Sequence, residues 1–174
     1  DELRPFYFYN REKIKLYTNS ETSTFLLNRF DYLFNRNKNS QSYFEPPLQL
    51  INIDYYQNLM INDISVHTIK QHHGVIDTLG FIINNTFAYC TDVVSFPKES
   101  LECLYNLNTI IITGLRSAPH TAHAHFDLTF KWLADLKPRV AYLTHLSPES
   151  DHETVTKLCP SGVYPAYDGL VINI

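Results

Sequence analysis

The chain has 174 residues, of which 44% are hydrophobic and 14% aromatic, enough material for one domain with a packed core. A formal charge of −4 argues against gripping duplex nucleic acid by bulk electrostatics and still allows a local phosphate site, so a nucleic-acid partner is not favoured. No run approaches the ~20 apolar residues that cross a bilayer, and the polar start DELRPFYFYN lacks the order of a signal peptide; a cytoplasmic protein without a membrane partner is expected.

In chain order, IKLYTN alternates as a strand, and SETSTFLLNRFDYLF offers a Ser or Thr cap followed by Phe25, Leu26, Phe30, Leu33 and Phe34 at helical spacing. NRNKNSQS at 35–42 is polar enough for an exposed loop. Pro46 and Pro47 stop any helix, and LQLINI and ISVHTI alternate as strands with one exposed face. LGFIINNTFAYCTD sets Asn84 and Asn85 between two apolar runs, the mark of a tight hairpin, with the strand pair ending at Asp92. A helix around FPKESLECLYNL, a buried strand TIIITGL, a helix DLTFKWLADL stopped by Lys137 and Pro138, a buried strand VAYLTH and a last strand GLVINI follow. Hairpins early and β-α-β units late fit an α/β sandwich better than a pure doubly wound fold. A single domain over 1–174 is expected.

Cys90, Cys103 and Cys159 are odd in number, far apart and free of C-x-x-C spacing. They read as core residues in a reducing compartment, with no disulfide framework and no thiolate zinc site.

Four segments end strands or begin helices with groups that bind metal or move protons: QHHG at 71–74, CTDV at 90–93, PHTAH at 119–123 and LTHL at 143–146. Residues beyond the carboxyl ends of neighbouring strands converge in one crevice, so Asp92 and His145 are placed to meet. Imidazole and carboxylate together suit zinc, manganese or iron. Each also has an ordinary structural role, since a strand-end His caps backbone and an Asp after a strand begins a turn.

His120, His123 and His125 fall within LRSAPHTAHAHFDL. His120 and His123 would share a helical face and His123 and His125 a strand face, so no regular element presents all three together. Pro119 and Asp127 suggest a loop entering a helix N-terminus, where the macrodipole favours anions and lowers an imidazole's pKa. A His there is either a general acid or transition-state donor, or one of three exposed loop histidines.

The order DELRPF, QHHGVIDTLGF, AYCTDV, GLRSAPHTAH, AYLTHL, PAYDGLVI resembles metallo-β-lactamase-fold hydrolases, in particular the branch containing the cyclic phosphate phosphodiesterase of phosphonate metabolism. The resemblance covers nearly the whole chain and implies an αββα sandwich of which this chain holds the C-terminal part. It also implies a site with His73 on the first of two metals, Asp92 bridging both and His145 on the second. His123 becomes the residue that protonates the leaving group and His120 its support, while His125 is neutral and His72 a neighbour of the ligand, with exchange of the His72 and His73 roles left open. The family's H-x-H-x-D-H motif is absent from the 174 residues, which leaves three of seven expected ligands; either the true protein is longer or the metals have been lost, and the chain by itself is expected to be inactive.

The implied activity of the complete protein is hydrolysis of a small or cyclic phosphodiester by a metal-bridging hydroxide, with two divalent ions, zinc or manganese or iron. Arg116 would clamp a phosphate oxygen or make a surface ion pair, and Tyr167 and Asp168 would brace a ligand histidine by hydrogen bonds. A tRNA-processing endonuclease or a thioesterase on the same fold, and a non-catalytic scaffold with a decayed site, are the alternatives. With 12 Tyr and 11 Phe, a homodimer interface is also open.

Overall fold

Asn19 both ends a strand and starts a helix, because its side-chain Oδ1 accepts from the Thr22 N–H at 2.8 Å and satisfies a donor that the first helical turn leaves over. A computed structural model of the protein describes residues 3–36 and 45–173, so most of the loop expected over 35–42 lies outside the described residues. The chain divides into Asp1–Asp54 and Tyr55–Ile174.

In the first unit, α1 (Arg4–Asn10) precedes β1 (Ile14–Thr18), α2 (Ser20–Phe30) with a short 3-10 turn, and β2 (Leu48–Asn52). The two strands pair in parallel from Ile14 with Leu48 to Thr18 with Asn52. The helix forms where its spacing predicts, but of its expected apolar stripe only Phe34, beyond its end, is buried. Phe25 is 52% exposed, with the Arg29 guanidinium 4.4 Å from its ring centroid, a cation–π contact that keeps an aromatic at the surface tolerable.

The second unit holds β3 (Asn58–Ile61), β4 (Ile64–His73), β5 (Ile76–Ile83), β6 (Phe87–Cys90), α3 (Lys98–Cys103), β7 (Thr109–Thr113), α4 (Phe126–Leu136), β8 (Val140–Thr144), α5 (His152–Leu158) and β9 (Val163–Pro165). Its strands form one sheet in chain order, antiparallel from β3 to β6 and parallel from β6 to β9. The change falls where the sequence shifts from hairpin signals to alternating strand and helix, since a parallel pair needs a crossover and each crossover here carries a helix. Asn84 and Asn85 close the β5–β6 hairpin with φ of 50° and 56°, the paired left-handed residues of a tight turn whose twist matches the strands. Lys137 ends α4 in the left-handed region (φ 52°) just before Pro138.

Ile110, Ile112, Ala141 and Leu143 of the central strands pack with Leu104, Leu133 and Leu136 in a core that excludes water. That core fixes β6, β7 and β8 side by side, and the residues just past their carboxyl ends inherit its rigidity. Cys90 lies within the core, where burial pushes its thiol up to about 12; all three cysteines are free.

One expected element is corrected. GLVINI is not a strand over its described residues; the last strand is Val163–Pro165, which pairs with β8. Apolar alternation marks a face that could be buried but supplies no hydrogen-bonding edge, and Val171 is 81% exposed. The helix α5 was not anticipated, although Asp151 caps it by accepting from the Thr154 N–H at 2.9 Å. Among the described residues no helix is long and apolar enough to cross a membrane.

Candidate metal centre

Four side chains from four separate segments meet at one end of the sheet. His73 is the last residue of β4, Asp92 lies two residues beyond β6, His123 sits in the loop before α4, and His145 directly follows β8. One carboxylate oxygen, Asp92 Oδ1, lies 3.9 Å from His73 Nε2, 3.8 Å from His123 Nδ1 and 3.6 Å from His145 Nε2.

Backbone conformation aims two of these groups. Asp92 (φ 56°) and His145 (φ 62°) both adopt the left-handed region, which a residue with a Cβ occupies at a cost of ~1–2 kcal/mol. At Asp92 the surroundings hold it there: its N–H donates to Thr113 Oγ1 at 3.0 Å and its carbonyl accepts from the Thr78 hydroxyl at 2.8 Å. Thr113 and Thr78 support the Asp92 turn and were missed by motif reading; for Thr113, a buried Thr at the end of a strand otherwise rich in Ile is the signal that could have found it.

His123 is carried against the hairpin turn of His73. Gly74 (φ +64°) bears no Cβ, and one placed there would stand 3.2 Å from Ala122 Cβ. Ala122 is further held by its N–H, which donates to His120 Nδ1 at 3.2 Å, so His120 braces the loop. The His120 ring centroid is 5.1 Å from that of His123, and the His145 ring is 4.6 Å away on a tilt of 33°.

The electrostatics follow from this crowding. Burial holds the His123 imidazole below its ordinary value, and the neighbouring His145 and His73 lower it further while Asp92 opposes them. His123 Nδ1 is buried with no hydrogen-bond partner. His73 Nε2 and His123 Nε2 face each other at 3.2 Å.

These donors fit a divalent cation. Nitrogen and oxygen ligands about 2.1 Å from a tetrahedral ion stand ~3.4 Å from one another, near the 3.6–3.9 Å separations around Asp92 Oδ1. His73, Asp92 and His123 offer donor atoms that all lie within 4.8 Å of one another. The distance from His123 to Asp92 matches that from His73, so geometry alone draws no line between a ligand His123 and a proton-moving His123. His145 joins the group through Asp92, which therefore stands between imidazoles on two sides.

The remaining expected residues lie elsewhere. His72 points to the opposite face of β4, as neighbours in a strand must, and its Nδ1 meets Asp77 Oδ1 at 2.6 Å, with Lys70 Nζ on the other carboxylate oxygen at 2.7 Å. Lys70 holds the Asp77 carboxyl below its ordinary value, and His72 adds to that. Tyr167 is 60% exposed with its ring edge-on to His152, and among the described residues no hydrogen bond joins Asp168 to a histidine of the cluster. Arg116 lines a cavity of about 300 Å³ with Phe126, Glu149, Asp151 and Val155. None of the four clustered residues lines that cavity, and its two carboxylates oppose a second anion. His125 occupies the position before α4 without a side-chain cap.

The family profile "Beta-lactamase superfamily domain" matches residues 1–146. A curated relative, an octanoyltransferase of Porphyromonas gingivalis, is 24% identical over 172 residues, covering 98% of this chain and 34% of that protein. Among solved structures, a "new diphosphatase from the PhnP family" superposes with a TM-score of 0.85 at 26% identity, covering 98% of this chain and 63% of that one. Zinc-bound PqqB from Methylobacterium extorquens superposes with a TM-score of 0.68 at 13% identity, over 99% of this chain and 68% of that chain, a likeness of fold. The chain thus spans about a third of the curated relative and under two thirds of the diphosphatase.

Proposed function

Because the chain belongs to the beta-lactamase superfamily domain family, we propose that the cluster around Asp92 is the metal centre of a hydrolase, and that its substrate is a small or cyclic phosphodiester. The observation that carries the reading is one carboxylate oxygen held within 3.6–3.9 Å of nitrogens from three histidines on three different segments. Structural ion pairs rarely converge so, whereas a shared cation requires it.

His73, Asp92 and His145 hold the ions in this reading, two per full-length chain, with further coordination positions filled by solvent, substrate or groups beyond these residues. Divalent ions bound here supply Lewis acidity toward phosphoryl oxygen and make water a stronger acid. His123 gives its proton to the departing alkoxide, a contribution of roughly 10²- to 10⁴-fold. An imidazole held below its ordinary value releases that proton readily, and the loop braced by His120 keeps it beside the reacting group. The resemblance to a diphosphatase supports phosphoryl over acyl chemistry. The octanoyltransferase relative supports a second reading, thioester hydrolysis, but that name describes a chain about three times the matched length. The unpaired cysteines suit a cytoplasmic location, which completes the proposal together with a small-molecule partner.

The full-length protein tests this through metal content by mass spectrometry, paired with turnover of bis-p-nitrophenyl phosphate and of an S-acyl thioester. Two ions per chain and diester turnover abolished in His123→Ala are expected. Thioester turnover alone would replace the substrate class, and a metal-free, inactive protein would leave a scaffold with a decayed site.

A further inference from the structure

Gln71 is a polar residue with no exposure at all, on β4 between Ile69 and His73. The sheet ladder uses only its backbone, so the amide side chain is free to act elsewhere. Its Nε2 donates to Thr91 O at 2.8 Å and to Thr78 Oγ1 at 3.2 Å. The Thr78 hydroxyl, having accepted one hydrogen bond, donates its own to Asp92 O at 2.8 Å. One amide therefore governs two consecutive carbonyls, those of residues 91 and 92, on either side of the left-handed Asp92.

The arrangement leaves the Gln71 Oε1 buried without a partner. An amide rotated by half a turn would set Oε1 against the Thr91 carbonyl, acceptor on acceptor, so the donors must face the turn. Buried acceptors are almost always satisfied, and this one is left unsatisfied where both donors are needed. Gly80 makes the orientation feasible, because a Cβ there would stand 2.6 Å from Gln71 Oε1 and 2.8 Å from Ile69 Cγ1.

We propose that Gln71 is a positioning residue of the metal centre: through Thr91 O and the Thr78 hydroxyl, its amide locks Asp92 in the left-handed conformation that aims the carboxylate at the three histidines. The inference rests on the metal-centre reading for its functional meaning, and on hydrogen bonds alone for the locking itself.

Two measurements on the full-length protein separate the two. Gln71→Met keeps the shape and removes the donors, Thr78→Val removes the relay with little change of volume, and Ser100→Ala is the control. Ser100 is also fully buried and donates to the carbonyl of Lys70 on the same strand at 2.7 Å, away from the cluster. Zinc affinity by chelator competition should fall about 10- to 100-fold in Gln71→Met and less in Thr78→Val, and stay at the wild-type value in Ser100→Ala despite its lower Tm. In the metal-free protein, amide exchange over residues 91–94 should accelerate in both site variants beyond the rest of the sheet. Should Gln71→Met fail to fold, Thr78→Val decides both readouts. Unchanged zinc affinity together with unchanged exchange at that turn overturns the inference. If the wild type binds none of zinc, manganese and iron, the metal-centre reading fails, and exchange in the metal-free protein still decides the locking.

Discussion

Replacing Gly80 by alanine sets two effects of opposite sign against each other. A strand glycine costs ~0.5–1 kcal/mol in chain entropy relative to alanine, so Gly80→Ala should stabilise if nothing stood in the way. The added methyl, however, meets Gln71 Oε1 at 2.6 Å and Ile69 Cγ1 at 2.8 Å, and both side chains are completely buried with no solvent to swing into. Overpacking of this kind costs ~1–3 kcal/mol, and relief by moving the amide breaks its bond to Thr91 O, a further ~1 kcal/mol. The sum is a net loss of about 2 kcal/mol, or ~4–8 °C in Tm for a chain of this size. Calorimetry on Gly80→Ala, Gln71→Ala and the double variant completes a cycle in which truncating Gln71 removes the closer of the two clashes and leaves that with Ile69, with a coupling of ~0.5–3 kcal/mol. A Gly80→Ala protein that melts with the wild type, or that loses as much with Gln71 truncated as with it present, refutes the reasoning.

Leu143→Ala, at a fully buried position beside Gly114, should cost ~2–5 kcal/mol, read as a lower urea midpoint with an unchanged slope. His123 is held below its ordinary value, so the unfolded chain binds the proton more tightly than the folded one. Stability of the metal-free protein should therefore fall as pH drops below about 6.5, and urea titrations across that window should show a shallower fall in His123→Phe. Lys137→Gly, at a left-handed helix end, should raise Tm by an amount corresponding to ~0.5–1 kcal/mol, since only the alanine-like Cβ penalty is removed; a lower Tm would show the lysine stem doing more than capping.

The β5–β6 hairpin was legible because Asn-Asn between two apolar runs has one economical backbone solution, and α4 because Lys137-Pro138 forbids continuation. Asp92 and His145 were legible from strand ends, whereas His73 and His123 were singled out from their neighbours only by the family resemblance, and the structure brings those four together. What was not legible depends on three dimensions. GLVINI has strand composition, yet its described residues join no sheet, and His72 differs from His73 only in which face of β4 it takes. Arg116 is three residues from Pro119 in sequence, yet its side chain lines a cavity with two carboxylates. Gln71 opens the QHHG segment but was given no role there, since its meaning comes from lying opposite Thr78 across the hairpin and behind the Asp92 turn.

The left-handed residues sharpen the distinction between a turn and a site. Asn62, Asn84 and Asn85 also have positive φ, but asparagine tolerates that region in hairpin turns and no special support is required. Asp92 and His145 follow parallel strands, where extended chain would ordinarily run on into a loop. A conformation that costs ~1–2 kcal/mol persists in a domain with only ~5–15 kcal/mol of net stability when its surroundings over-determine it. At Asp92 they do so three times over, through Thr113 on the N–H, Thr78 on the carbonyl and Gln71 on the preceding carbonyl. Their common effect is to present one carboxylate oxygen to three imidazoles, a donor set whose chemistry fits a divalent cation.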